Sequence, residues 1–444
     1  MVYLPHWPIP STLGNRKINY ETVFERMLSV LAKIKNPHLS LPPVIHVSGT
    51  NGKGSTTSLI AKIFSEAGYK THIYTSPHLH ACNERIMLDC EKISDAFLFE
   101  VMEEARIAAT SGNAEIPLTF MEGFTIGAFL AFSKIPADIL IMECGMGGRI
   151  DATNILEKKL ASVITPISFD HTEYLGNSIE RIALEKAMIM RKETPLILAP
   201  QPSQAKGIID ILAQDQGIVT YSYEEEYDIV MDDESGKFDF FFEEIFIKDL
   251  PKPTLAGSHQ YFNFATALAT IFAIKKGNPD LFQIKESHIR RAISNVYWPS
   301  RIEKINNRLN HFLQNEQSEI WIDGAHNESG AFALARWITE EDTKNQKRNF
   351  VIVGFSRGKC RKEFLEKFKN VAEVLAVRVN GEPYPENPEI ISDIGKTIDM
   401  KIPAFSNLAD ALSYIAEIND GNASRSVICG SLHLARDVHQ LGNL

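Results

Sequence analysis

The sequence predicts an α/β protein made of two lobes on parallel sheets, with a small β-rich lobe on the edge of the first. Three observations carry this. From Val44 onward, apolar β-type runs alternate with helical patterns: VIHVSG then STTSLIAKIFSEAG, DILIMECG then a loop, SVITPISF then SIERIALEKAMIMR. Such a rhythm implies parallel strands joined by helical crossovers. Segment 218–250 interrupts it with acidic, β-rich sequence punctuated by Gly236, which reads as hairpins. After VYWPSRIEKI the alternation restarts with IWIDGAH, a helix at GAFALARWI, NFVIVGFS, a helix at EFLEKFKN, VLAVRV and SVICGS. Trp298-Pro299 restricts the backbone where the two patterns meet. The expected organisation is therefore 1–297, a hinge at 298–302, and 303–444.

Composition sets the class. The chain has 444 residues, 44% hydrophobic and 23% charged, the balance of an ordinary globular protein. With a formal net charge of −10, it lacks the basic excess of a nucleic-acid binder. MVYLPHWPIP has no basic segment followed by an apolar one, and no run approaches the roughly 18 apolar residues that span a bilayer. The five cysteines are scattered without CxxC pairing, which suits reduced thiols. We expect a cytoplasmic monomer acting on small molecules, without nucleic-acid or membrane partners.

The strongest local signal is Gly49-Thr50-Asn51-Gly52-Lys53-Gly54-Ser55, between an apolar strand and a helix. Glycines let backbone N–H groups face phosphates, the helix N-terminus favours negative charge, and Lys53 adds a point charge. Its spacing departs from GxxxxGK[ST], because a glycine separates Lys53 from Ser55. Glu143 ends the apolar run DILIM and precedes Cys144-Gly145-Met146-Gly147-Gly148. Ligands of open α/β sheets lie at this strand end, and beside ATP a carboxylate there suits Mg²⁺. The alternative is a solvated loop acid. His171 follows the strand SVITPISF at a similar position; a lone histidine is more often structural. Lys186 interrupts a helical stripe of Ile179, Ile182, Ala183 and Met190, as either a functional lysine or a snorkelling one. In the second lobe Asp323-Gly324-Ala325-His326-Asn327 joins a strand to a helix, where Asn327 would also serve as a helix cap. Arg301 follows the Trp298-Pro299 pair and could reach a phosphate from the hinge, a signal that alone means little.

Taken in order, GTNGKGS (49–55), TSPHL (75–79), NERI (83–86), TFMEGFT (119–125), ECGMGGRIDATN (143–154), DHTEYLG (170–176), EKA (185–187), GSHQYFN (257–263), WPSR (298–301), DGAHN (323–327) and GSLHL (430–434) resemble the folylpolyglutamate synthase/dihydrofolate synthase family of the Mur-type ligases. The resemblance runs nearly end to end. It implies a Mur-ligase-like P-loop ATPase domain followed by a Rossmann-like domain, with ATP held between them. It further implies ATP-dependent addition of L-glutamate to dihydropteroate, to the tail of a folate, or to both, through an acyl phosphate.

By the same resemblance, Gly52, Lys53, Gly54 and Ser55 bind ATP phosphates, and Asn263, Arg301 and Asp323 complete the nucleotide site. Ser76, Glu143 and His171 match Mg²⁺ ligands, and Lys186 matches a lysine carried as a carbamate. His326 would orient glutamate. Pterin-side contacts fall on Thr119, Phe120, Met121 and Glu122, on Ile150, Asp151 and Ala152, and on a loop near Leu13 and Gly14. The chain departs from the family's pattern at four places. Met121 stands where bacterial members usually carry an aromatic residue, Ser300 replaces the glycine of WPGR, Gly358-Lys359-Cys360 replaces DKD, and Met188 replaces the glycine after EKA. Two rival readings are a Mur-type ligase acting on a cell-wall nucleotide peptide, which TFMEGFT and DATN argue against, and a P-loop switch or assembly protein that performs no ligation.

Overall fold

The computed structural model describes residues 7–8, 20–112, 115–305, 309–380, 382 and 384–441; the expected substrate loop at Leu13 and Gly14 lies outside them. The described chain forms two compact units. One comprises the residues up to Thr254 together with Tyr261–Val296, and the other comprises Leu255–Gln260 together with the residues from Tyr297 onward. The segment Leu255–Gln260, which the sequence places in the first lobe, groups with the second. Ala256 explains this locally, because it packs on the second unit's apolar core.

The first unit is built on an eight-stranded sheet. Its order runs Glu91–Lys92, Ile86–Leu88, Thr71–Tyr74, Ile139–Glu143, Val44–Ser48, Ala161–Ile164, Leu196–Leu198, Thr220–Ser222. The first two strands are antiparallel additions, and the other six are parallel. Both faces are covered. Helices Val23–Lys33, Asp95–Thr110 and Phe120–Lys134 close one apolar cluster, and Ile179–Ala187 with Ser203–Gln216 close another. Central strands therefore read as unbroken apolar runs rather than alternating ones.

Within 218–250 the expected hairpins divide. Thr220–Ser222 pairs in parallel with Leu196–Leu198 as the edge of the large sheet. Only Tyr227–Met231, Phe238–Phe242 and Ile245–Leu250 form the antiparallel lobe. Its inward residues Tyr227, Ile229, Phe238, Phe240 and Phe242 are buried while Val230 and Phe246 are exposed, the alternation of a sheet packed on one side.

The second unit carries a six-stranded sheet, ordered Glu303–Ile305, Glu319–Ile322, Ser424–Cys429, Arg348–Val353, Glu373–Val377, Ala404–Phe405. All pairs are parallel except the first. Arg425 is buried in this sheet and bonds Asp342, Asn349 and the carbonyl of Asn345, with Glu319 at 3.3 Å. A cation there is tolerated because its donors are satisfied. Among the described residues no helix is long and apolar enough to cross a membrane, and all five cysteines are free.

Candidate active site

The strand Val44–Ser48 lies between Ile139–Glu143 and Ala161–Ile164, with Val47 opposite both Glu143 and Val163. The chain leaves these neighbouring strand ends in opposite directions along the sheet, which opens a crevice at their carboxyl ends. Gly49 through Gly52 turn there into the helix Lys53–Glu66. Two glycines are required. At Gly49 φ is +143°, and a Cβ would lie 1.9 Å from Thr165 Oγ1; at Gly52 φ is +86°, and a Cβ would lie 2.3 Å from Asn263 Oδ1. The second approach also brings Asn263, on the helix His259–Gly277, to the loop.

Lys53 and Lys186 meet at one acceptor. Lys53 Nζ donates to the carbonyls of Gly49 (3.2 Å) and Thr50 (3.1 Å) and stands 4.0 Å from Glu143 Oε1. Lys186 Nζ donates to the Gly49 carbonyl at 2.7 Å. Lys186 is only 4% exposed, on the same helical face as Ile182 and Ala183, while Leu184 points outward. Burial, then the charge of Lys53, bring its ammonium down to about 7. Such a site favours a change of chemical state over a permanent cation.

Ser76 Oγ is shielded from solvent without a hydrogen-bond partner. It shares a small space at Gly145 with Asp151 Oδ2 and Met121 Cε, the three lying 3.3–3.4 Å from where a Gly145 Cβ would sit. An orphaned hydroxyl two residues' reach from the Glu143 strand end is what a hard cation would satisfy, so these donors fit Mg²⁺. His171 has φ +48° and heads a short helix at Thr172–Leu175. Ser168, three residues earlier, is bonded to Thr50 and lies within bonding distance of Asn51, which ties this loop to the phosphate loop. Among the described residues no three His, Cys, Asp or Glu side chains converge on a cation position.

In the second unit, Asp323 accepts from the backbone N–H of Ala325 (2.7 Å) and Ile302 (2.9 Å). Arg301 closes against Gly324, its Nη1 lying 2.7 Å from where a Gly324 Cβ would be. His326 is exposed, and its Nδ1 bonds the Gly324 carbonyl at 2.8 Å. Asn327 accepts from Gly330 N at 2.9 Å and caps the helix Glu328–Lys344.

The TFME segment holds a local structure besides its expected contacts. Thr119 and Glu122 form a capping box at the start of Phe120–Lys134. Glu122 is gripped by Arg26 at 2.7 and 3.0 Å. Asp151 likewise accepts from Met146 N (2.9 Å) and Thr153 N (3.0 Å), which shapes the turn carrying Ile150 and Ala152. Removing Arg26 as Arg26→Met strands a buried carboxylate and is expected to destabilise the first unit by about 3–5 kcal/mol, with R26M/E122M recovering most of it. Urea denaturation of the three variants checks this, and equal losses in single and double variants would refute it.

The Mur ligase middle domain matches residues 47–271, and the dihydrofolate synthetase C-terminal domain matches 307–441. The chain belongs to the folylpolyglutamate synthase/dihydrofolate synthase family of Mur ligases. It is 28% identical over 434 residues to the dihydrofolate synthase/folylpolyglutamate synthase of Bacillus subtilis, covering 96% of each. It is 27% identical to the dihydrofolate synthetase of Saccharomyces cerevisiae over 95% of this chain and 98% of that one. Among solved structures, Escherichia coli FolC in complex with DHPP and ADP superposes with a TM-score of 0.80 at 27% identity, covering 98% and 95% of the two chains.

Against that family, the departures have visible consequences. Ser300 sits at φ +55°, the left-handed region where glycine is unstrained, and its buried hydroxyl lacks a partner. Cys360 is buried, and burial pushes its thiol up to about 12, so it serves as packing rather than as a nucleophile. Sequence reasoning missed the groups that brace the site. His46 Nε2 lies 2.8 Å from Thr153 Oγ1 and 3.1 Å from Cys144 Sγ, and Thr153 Oγ1 donates to Asp151 at 2.5 Å. His46 stands inside an apolar strand, and no local pattern announces the partnership. Arg85 was passed over although it belongs to NERI.

Proposed function

We propose that this enzyme joins the α-amine of L-glutamate to a carboxylate of dihydropteroate, and likewise to the glutamate tail of a reduced folate, with ATP converted to ADP and phosphate. The observation that carries the reading is the phosphate loop whose Gly49 carbonyl is shared by Lys53 and the buried Lys186, facing Glu143 across adjacent strands. A plain nucleotide switch has no use for the second lysine. We assign ATP phosphates to Gly52, Lys53, Gly54 and Ser55, and the remainder of the nucleotide to Asn263, Arg301 and Asp323.

Ser76, Glu143 and His171 would hold Mg²⁺, which neutralises charge on the transferring phosphoryl group. Lys186 would complete this set as a carbamate. Its neutral amine adds to CO₂, forming an N–C bond and releasing one proton, and the carbamate nitrogen keeps a hydrogen for the Gly49 carbonyl. Repulsion between Lys53 and Lys186 then becomes attraction. The acceptor carboxylate attacks the γ-phosphorus in line, ADP departs, and the resulting acyl phosphate is attacked by the glutamate amine with loss of phosphate. Lys53 follows the phosphoryl charge, and the loop's N–H groups orient it. His326 would orient glutamate. The acceptor's flat ring system would lie on Thr119, Phe120, Met121 and Glu122 and on the turn Ile150-Asp151-Ala152. We further propose a cytoplasmic monomer, for which the free cysteines fit a reducing compartment.

The test is phosphate release by the purified protein with MgATP, bicarbonate and L-glutamate, with dihydropteroate or tetrahydrofolate as acceptor and mass analysis of products. Glutamate-dependent turnover with both is expected. Turnover with one acceptor restricts the activity to that one. Acceptor-independent ATP hydrolysis by folded protein refutes ligation and favours a nucleotide switch.

A further inference from the structure

Arg85 is only 7% exposed and ends the short 3-10 helix Cys82–Arg85, directly before the strand Ile86–Leu88. Its guanidinium lies over Phe120 and Phe124, 5.5 and 5.7 Å from their centroids. Nε donates to His78 Nδ1 at 2.8 Å, and Nη1 reaches Met121 Sδ at 3.3 Å. Among the described residues it forms no ion pair, and the residues outside that set contain no Asp or Glu. Glu143 and Glu84 favour its charge only from beyond ion-pair distance. A buried guanidinium is ordinarily matched by an anion, and a thioether is a weak acceptor that cannot replace one.

The missing anion has a defined place. Met121 lies between a buried cation without an ion pair and an orphaned hydroxyl, its Sδ at Arg85 and its Cε at the space by Gly145 shared with Ser76 Oγ. Arg85 is also anchored on the rings of the helix that carries Phe120 and Met121, rather than on the phosphate loop. We infer that Arg85 binds a carboxylate of the pterin-bearing acceptor, with Met121 as the displaceable group covering its fork in the free enzyme. This rests on the acceptor assignment made above. ATP and glutamate are the other anions of the reaction, and neither is expected at the TFME segment.

The test compares the wild type with Arg85→Met and Arg85→Lys. Arg85→Met should be at least as thermally stable as the wild type, because an unmatched cation is replaced by an apolar chain. Its KM for the acceptor should rise by about tenfold or more, the loss expected for a charge-assisted hydrogen bond, with KM for ATP and glutamate unchanged and partial recovery in Arg85→Lys. A rise with both acceptors places Arg85 on the reacting carboxylate, which is the benzoate of dihydropteroate and the γ-carboxylate of tetrahydrofolate; a rise with tetrahydrofolate alone places it on the glutamate α-carboxylate, which dihydropteroate lacks. The carboxamide of dihydropteroate, used as a competitive inhibitor, separates carboxylate from pterin recognition. It should bind the wild type more weakly than the acid does and bind Arg85→Met about as well as the acid does. Equal weakening of acid and amide, an unchanged acceptor KM, or a destabilised Arg85→Met overturns the inference. Absence of wild-type turnover with either acceptor instead refutes the ligase reading on which it rests.

Discussion

Lys186→Met is expected to lower kcat by about 10²–10³-fold, as for loss of a group that stabilises developing charge in an enclosed site, while the protein stays folded and at least as stable. The two halves of this expectation come from one geometry. Lys186 is buried, has the Gly49 carbonyl as its acceptor at 2.7 Å, and is repelled by Lys53. Methionine keeps the length and apolar contacts on the Ile182 face and removes the unmatched charge, and such exchanges are commonly neutral or stabilising. Gly49 keeps a donor in Lys53. If the lysine works as a carbamate, Lys186→Ala should regain part of its turnover in formate or acetate, whose carboxylate occupies the vacated volume, and not in chloride at equal ionic strength. Steady-state phosphate release and thermal unfolding of both variants check this. A Lys186→Met protein that unfolds, or one that turns over normally, removes Lys186 from the reaction.

What the sequence disclosed follows from how local each signal is. Glu143 was legible because a carboxylate ends an apolar run, and hydropathy changes abruptly there; Lys186 was legible because a helix repeats its buried face every three to four residues. The parallel sheets were legible from the same alternation. Thr119 and Glu122 carry the T-x-x-E spacing of a capping box, yet the family resemblance drew them toward ligand contact, and the structure gives them a local duty as well. Arg26 holds Glu122 from 96 residues away, and His46 meets Thr153 across 107. No periodicity encodes such pairs, because the sheet order and helix packing create them. The strand Thr220–Ser222 was read as a hairpin arm because its acidic flank matches the lobe that follows, whereas its pairing with Leu196–Leu198 depends on the crossover helix Ser203–Gln216.

Gly49→Ala is expected to destabilise the first unit by about 3 kcal/mol or more and to reduce turnover by about 10²-fold or more in whatever protein remains folded. At φ +143° an alanine is strained before any contact is considered. Its Cβ would also stand 1.9 Å from Thr165 Oγ1, 2.9 Å from Thr165 Cβ and 2.8 Å from the Thr165 carbonyl oxygen. Rotating the threonine relieves only the first of these, since the other two atoms do not move with that rotation, so the loop must shift away from the strand Ala161–Ile164. Because the Gly49 carbonyl holds both ammonium groups, that shift displaces Lys53 and Lys186 together. Gly207→Ala is the matched control. Gly207 lies within the helix Ser203–Gln216 with nothing within 4 Å of its would-be Cβ, and the exchange there should stabilise by about 0.5–1 kcal/mol with turnover unchanged. Urea denaturation and MgATP turnover of the two alanine variants decide the matter. A Gly49→Ala protein as active as Gly207→Ala would show that the shared carbonyl does not position the two lysines.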